Sequence, residues 1–234
     1  WTYELGHVRN YEAQWYQPEN AVCSNGLLVI EARRERVANT NFESDSDDWR
    51  TKWDHANYTS ACLITKNLHS WRYGRFELRA KIDTRAGLWP AFWTLGVDGE
   101  WPDNGEVDIM EYYQGKLLAN AFWGSGKRYQ PKKSSRVKPI DRFNDPDWAN
   151  RFHVWRMDWN EESIRLYVDD ELLNTIQLED TFNPAGNDVI NPFRQPHYIL
   201  LNLAISGDAG GDPSATEFPA RLEVDYVRVY QKDK

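Results

Sequence analysis

The chain has 234 residues, a formal net charge of -8 and a sequence pI near 5.2. That length fits one large all-β domain or two small ones, with one domain over residues 1–234 as the expectation. The acidic balance argues against a phosphate-binding surface, which excludes nucleic acid as the expected partner.

No stretch approaches the roughly 18 consecutive apolar residues that cross a bilayer, and neither end carries a signal-peptide pattern. The chain starts at Trp1 rather than an initiator Met, as a trimmed or excised domain would.

Most apolar segments alternate with period two, or are short β-rich blocks bounded by Gly, Pro, Asn or Asp. In chain order these predict strands at Leu27 to Ala32, Tyr58 to Thr65, Gly74 to Ile82, Phe92 to Leu95 and Glu106 to Tyr112. Further strands are predicted at Phe152 to Trp159, Ile164 to Val168, Glu171 to Leu178, Tyr198 to Ala204 and Leu222 to Tyr230. So many short strands imply a sandwich or barrel. Asp169-Asp170 splits Ile164 to Leu178 into a hairpin, because both residues tolerate tight-turn conformations. One helical turn is expected after Asp145, with Pro146 at its first position. Val37 to Asp54, Lys127 to Asn150 and Glu179 to Pro196 read as loops, and the basic run Lys127 to Lys138 within them as a solvated one.

The two cysteines, Cys23 and Cys62, match no metal or redox spacing. Pairing of strand 27–32 with strand 58–63 would put one strand between the sulfurs and leave a disulfide strained. Both thiols are therefore expected free and largely buried. Twelve Trp, twelve Tyr and nine Phe supply either a Trp-rich core or stacking faces for sugars.

The segment Trp101-Pro102-Asp103-Asn104-Gly105-Glu106-Val107-Asp108-Ile109-Met110-Glu111-Tyr112 holds the chemistry. In a regular strand Glu106 and Asp108 share one face and Glu111 takes the other. A one-residue bulge within Ile109-Met110 would bring all three acids to one surface. The glutamate Cα atoms would then lie roughly 13 Å apart, and converging side chains could approach the ~5 to 5.5 Å carboxyl separation of retaining glycosidases. Three neighbouring carboxyls cannot all ionise cheaply, so one should keep a proton near neutrality. Clustered oxygens also suit calcium, but Trp89, Trp93 and Trp101 beside the acids favour a sugar site.

These residues resemble glycoside hydrolase family 16, most closely its laminarinase-like branch. The likeness runs through Tyr58 to Ala61, Tyr73 to Glu77, Gly87 to Trp93, Trp101 to Glu111, Leu201 to Ala204 and Val224 to Tyr230. It implies an all-β jelly-roll sandwich of two curved antiparallel sheets, with an open cleft that binds a polysaccharide in mid-chain. It further implies Glu106 as nucleophile, Glu111 as acid/base and Asp108 as the carboxylate that tunes the nucleophile. Trp89, Trp93 and Trp101 become cleft platforms, with Arg72, Asn20 and Asn202 as polar contacts.

No cofactor is implied for catalysis, and a structural Ca2+ would fall at Glu4, Gly26 and Asp225. The resemblance also implies a secreted, cell-surface or periplasmic enzyme, and nothing demands more than a monomer. In one respect the chain departs from the branch. Asn120-Ala121-Phe122-Trp123-Gly124 places Trp123 where a His is usual, which leaves the substrate open between β-1,3-glucan, β-1,3-1,4-glucan and a galactan or host glycan. A non-catalytic carbohydrate-binding jelly roll is the reading of another class, and the intact acid set argues against it.

Overall fold

The computed structural model describes residues 1–184 and 190–232. Two seven-stranded sheets pack as a jelly-roll β-sandwich, the expected class. The cleft sheet runs, edge to edge, β1 (Thr2–Glu4), β8 (Cys62–Ile64), β17 (His197–Ile205), β10 (Leu88–Gly96), β11 (Glu106–Tyr113), β12 (Lys116–Trp123) and β13 (Lys132–Pro139). The outer sheet runs β16 (Glu171–Gln177), β15 (Ser163–Val168), β14 (His153–Trp159), β9 (Gly74–Lys81), β18 (Ala220–Tyr230), β4 (Leu27–Ala32) and β3 (Ala21–Ser24). Two short ribbons complete it: β2 (Gln14–Tyr16) parallel to β7 (Tyr58–Ser60), and β5 (Val37–Ala38) with β6 (His55–Ala56).

Alternation builds the core. In β14, His153, Trp155, Met157 and Trp159 turn inward while Val154, Arg156 and Asp158 turn out, and in β9 Phe76, Leu78 and Ala80 meet them. From the cleft sheet come Leu88, Phe92, Val107, Ile199, Leu201 and Leu203. Each such side chain contributes about 1.5–3 kcal/mol by leaving water. β17 is buried along its whole length, because Tyr198 and Leu200 on its other face pack with Tyr16 and Trp93 in a second apolar cluster.

Several expectations are corrected. The expected loop 127–150 contains β13, whose KKSSRVKP sequence hides its alternation because an edge strand need not bury a full face. The turn after Asp145 is a 3-10 turn at Trp148–Asn150 rather than one starting at Pro146, and Asp145 accepts from the Asp147 N–H at 3.0 Å. β4 pairs with β3 and β18, not with strand 58–63, so that argument about the sulfurs does not hold. Both cysteines are free, but only Cys62 is buried; Cys23 lies exposed on β3. The Asp169-Asp170 hairpin stands, with Asp169 at φ 51°. The middle of the expected loop Glu179 to Pro196 lies outside the described residues.

Candidate active site

β11 is bulged where the spacing requires. Against β10, Phe92 faces Met110 and Trp93 faces Asp108, so Ile109 has no partner there. Against β12, Asp108 faces Asn120 and Glu111 faces Leu118. The cause is apolar: Ile109 and Met110 are both fully buried in the core, and two successive inward residues break the alternation. Glu111 thereby emerges on the face that carries Glu106 and Asp108.

Register then arranges the cleft floor in rows across the strands. One row reads Tyr198, Leu95, Glu106, Phe122, Lys133; the next reads Leu200, Trp93, Asp108, Asn120, Ser135. Asn120 ties the acids together, donating from Nδ2 to Asp108 Oδ2 and to Glu111 Oε2, each at 2.9 Å. Ser135 holds Asn120 by donating to its Oδ1 at 2.6 Å.

Asp108 lies within hydrogen-bonding reach of both glutamates. Burial, followed by the Asp108 charge, lifts Glu106 well above the ordinary carboxyl range, and the Trp101 indole N–H opposes the rise. Burial and then Asp108 lift Glu111 likewise, against the Trp89 indole, which donates to Glu111 Oε1 at 2.9 Å. Asp108 itself is pushed up to about 6 by burial, against bonds from Asn120 and the glutamates. A proton is therefore held within the trio at neutral pH.

The other expected residues divide. Trp89 and Trp93 lie on the cleft face of β10, and Trp101 is partly exposed in the loop before β11. Asn202 is buried and fixes Trp93, accepting from its Nε1 at 2.8 Å and donating to the Tyr16 hydroxyl at 3.1 Å. Three placements need correction. Trp123 alternates into the core, edge-on to Phe193, and Phe122 takes the cleft position opposite Glu106. Asn20 is fully buried and donates to Glu31 O and Thr59 Oγ1 at 2.7 and 2.9 Å, so it touches no sugar. Arg72 lines a separate cavity of about 1220 Å³ with Arg75, Asp158 and Tyr230.

Glu4, Gly26 and Asp225 do not assemble a side-chain cage for calcium. The Glu4 carboxylate is bound by Arg9 and Cys62 at the cleft sheet. Asp225 on the outer sheet is paired with Arg79 at 2.6 Å, and Gly26 sits in the β3–β4 turn. Among the described residues no three His, Cys, Asp or Glu side chains converge to hold a metal.

Sequence reasoning missed Asn120, Phe122, Ser135 and Arg9, whose guanidinium lies 5.1 Å from the Trp93 ring centroid. Counting alternate residues back from Gly124 would have found Phe122 and Asn120; nothing local marks Arg9 or Ser135.

A sandwich whose open face carries proton-sharing carboxyls flanked by indoles defines a glycosidase that acts on polymeric sugar. The chain belongs to the glycosyl hydrolases family 16, whose model matches residues 9–228. It is 36% identical to a β-glucanase of Rhodothermus marinus, over 99% of this chain and 79% of that one.

Among solved structures it is similar to the laminarinase catalytic domain of Thermotoga maritima. That match has TM-score 0.80 and 30% identity, covering 100% of this chain and 92% of that one. It is also similar to a structure described with endo-acting O-glycanases of human gut microbiota that initiate mucin breakdown. There the TM-score is 0.88 and the identity 33%, over 98% of this chain and 84% of that one.

Proposed function

We propose that the protein hydrolyses internal β-linkages of β-1,3-glucan or β-1,3-1,4-glucan with retention, using Glu106 as nucleophile and Glu111 as acid/base. One observation carries the reading: the bulge at Ile109 and Met110 puts both glutamates on one face with only Asp108 between them. A gap of one carboxyl belongs with the short separation, about 5 to 5.5 Å, of retaining enzymes; inversion needs ~6.5 to 9.5 Å to admit a water.

Glu111, kept protonated by burial, gives its proton to the leaving oxygen while Glu106 attacks the anomeric carbon and forms a glycosyl ester. Esterification removes the Glu106 charge, which lowers the Glu111 pKa. The Glu111 carboxylate can then take a proton from the water that cleaves the ester. The Asp108 carboxylate accepts a hydrogen bond from whichever glutamate holds the proton. The two-carboxylate chemistry draws on no cofactor.

Proton NMR of a laminarin digest tests the mechanism: the first product should be the β-anomer, and initial α-anomer overturns it. Reducing-end release from laminarin, lichenan and a β-galactan tests the substrate. A second reading, endo-cleavage of a galactose-containing host glycan, is favoured by the TM-score of 0.88 to the O-glycanase structure. Residues 1–234 are read as one catalytic unit acting as a monomer, in the medium, at the cell surface or in the periplasm, where polymeric sugar is met.

A further inference from the structure

The cleft floor is not symmetric about Glu106. On the β10 side the row continues through Leu95 to Tyr198, and both are apolar or aromatic. On the other side it continues through Phe122 to Lys133, which is exposed. Residues directly opposite in antiparallel strands share a face, and Ser135, two residues on, demonstrably reaches Asn120 on that face. Lys133 therefore belongs to the cleft.

Two strand spacings, about 10 Å, separate its backbone from that of Glu106. A sugar next to the one being cleaved would pass within reach of its ammonium. Behind it stand Lys127 and Arg128, both exposed in the turn that joins β12 to β13, whereas Lys132 alternates to the other face of β13, opposite Trp123. Among the described residues none of Lys127, Arg128 and Lys133 forms an ion pair, whereas Lys138 on the opposite face of β13 is paired with Glu171.

Three cations without an ion pair among the described residues form a cationic patch at this end of the cleft, in a chain of net charge -8. A neutral glucan makes no use of it. Lysines on an edge strand also prevent sheet-to-sheet pairing, but that role is indifferent to substrate charge and to which face carries them. We propose that Lys133, backed by Lys127 and Arg128, forms a subsite for an anionic substituent, a sulfate ester or a carboxylate, on a sugar flanking the cleaved bond. The proposal rests on the hydrolytic reading above for the path of the glycan.

The test uses matched polymers: keratan sulfate and its desulfated form, laminarin and sulfated laminarin, and laminarin bearing oxidised, carboxylate-containing residues. Binding is read by affinity electrophoresis with the Glu106→Gln chain, and turnover by reducing ends with the parent. At low ionic strength at least tenfold tighter binding is expected to the anionic member of a pair, falling steadily as salt is added. The sulfate and carboxylate arms distinguish the two substituents.

In the Glu106→Gln background, Lys133→Glu should cut that preference at least tenfold. Arg136→Gln, which removes one charge from the opposite face of the same strand, should leave it unchanged. Equal or weaker binding of every anionic polymer overturns the proposal, as does equal loss of preference in the Lys133 and Arg136 variants. If the parent releases no reducing ends from any polymer, the hydrolytic reading falls, while the binding ratios still decide the subsite.

Discussion

The Trp89 indole donates to Glu111 Oε1 at 2.9 Å, which favours the ionised carboxylate, while the Asp108 charge disfavours it. Since Glu111 must enter the cycle protonated, the alkaline limb of kcat/KM reports its release of a proton. Trp89→Phe removes the opposing donor and should move that limb to higher pH. Asp108→Asn removes the neighbouring charge and should move it to lower pH. Titration of kcat/KM in both variants checks the pair, and shifts in one common direction would refute the assignment of Glu111 as acid.

Glu106 carries a stability consequence as well. Its folded-state pKa is raised by burial, so its contribution to stability is complete below the ordinary glutamate range and is lost as pH rises through the raised value. Gln cannot ionise. Glu106→Gln should therefore melt above the parent at pH 8, by about 2–4 °C for each kcal/mol recovered, and the gap should close toward pH 4. Thermal melts at the two pH values decide it, and hydrolysis should fall by at least about a thousandfold in the same variant.

At the scale of the element, the β11 bulge is what a single deletion would undo. Removing Ile109 restores alternation and leaves Glu111 on the cleft face, because the shortened run Glu106-Val107-Asp108-Met110-Glu111 alternates regularly with Met110 inward. More than a tenth of parental activity should survive, with a lower melting temperature from the lost buried side chain, and a drop to the level of Glu111→Ala would contradict this reading of the bulge.

The bulge was legible in the sequence because it joins two oily residues to an acid triplet that makes no sense without it. β14 and β9 were legible because their inward residues are large and strictly alternate. β13 was not, since an edge strand carrying Lys and Ser has no apolar face to announce it. The placement of Trp123 failed for a different reason. A one-residue choice of phase on β12 exchanges the cleft and core positions, and neither Phe122 nor Trp123 betrays its side by hydrophobicity. Asn20 misled because a buried amide that satisfies backbone groups reads the same as one that meets a ligand.

In the whole molecule, the second apolar cluster on the cleft side of β8 and β17 leaves one thiol shielded and one open. Cys62 is fully buried under Glu4, and burial pushes its pKa up; Cys23 is exposed. A thiol reagent should label one cysteine in the native protein and two in denaturant, and two rapid native equivalents would argue against the packing around β8. Arg9 sits between Glu4 and the Trp93 ring, so the same shielding supports the cleft.

Both reactive glutamates ride on β11, which is bonded along its length to β10 and β12. Bending of the sheet or breathing of one sheet against the other carries nucleophile and acid as a single rigid body, so thermal agitation has no soft coordinate along which to separate them. Loss of activity on warming should then wait for cooperative melting, with the inactivation midpoint falling on the unfolding midpoint rather than several degrees below it.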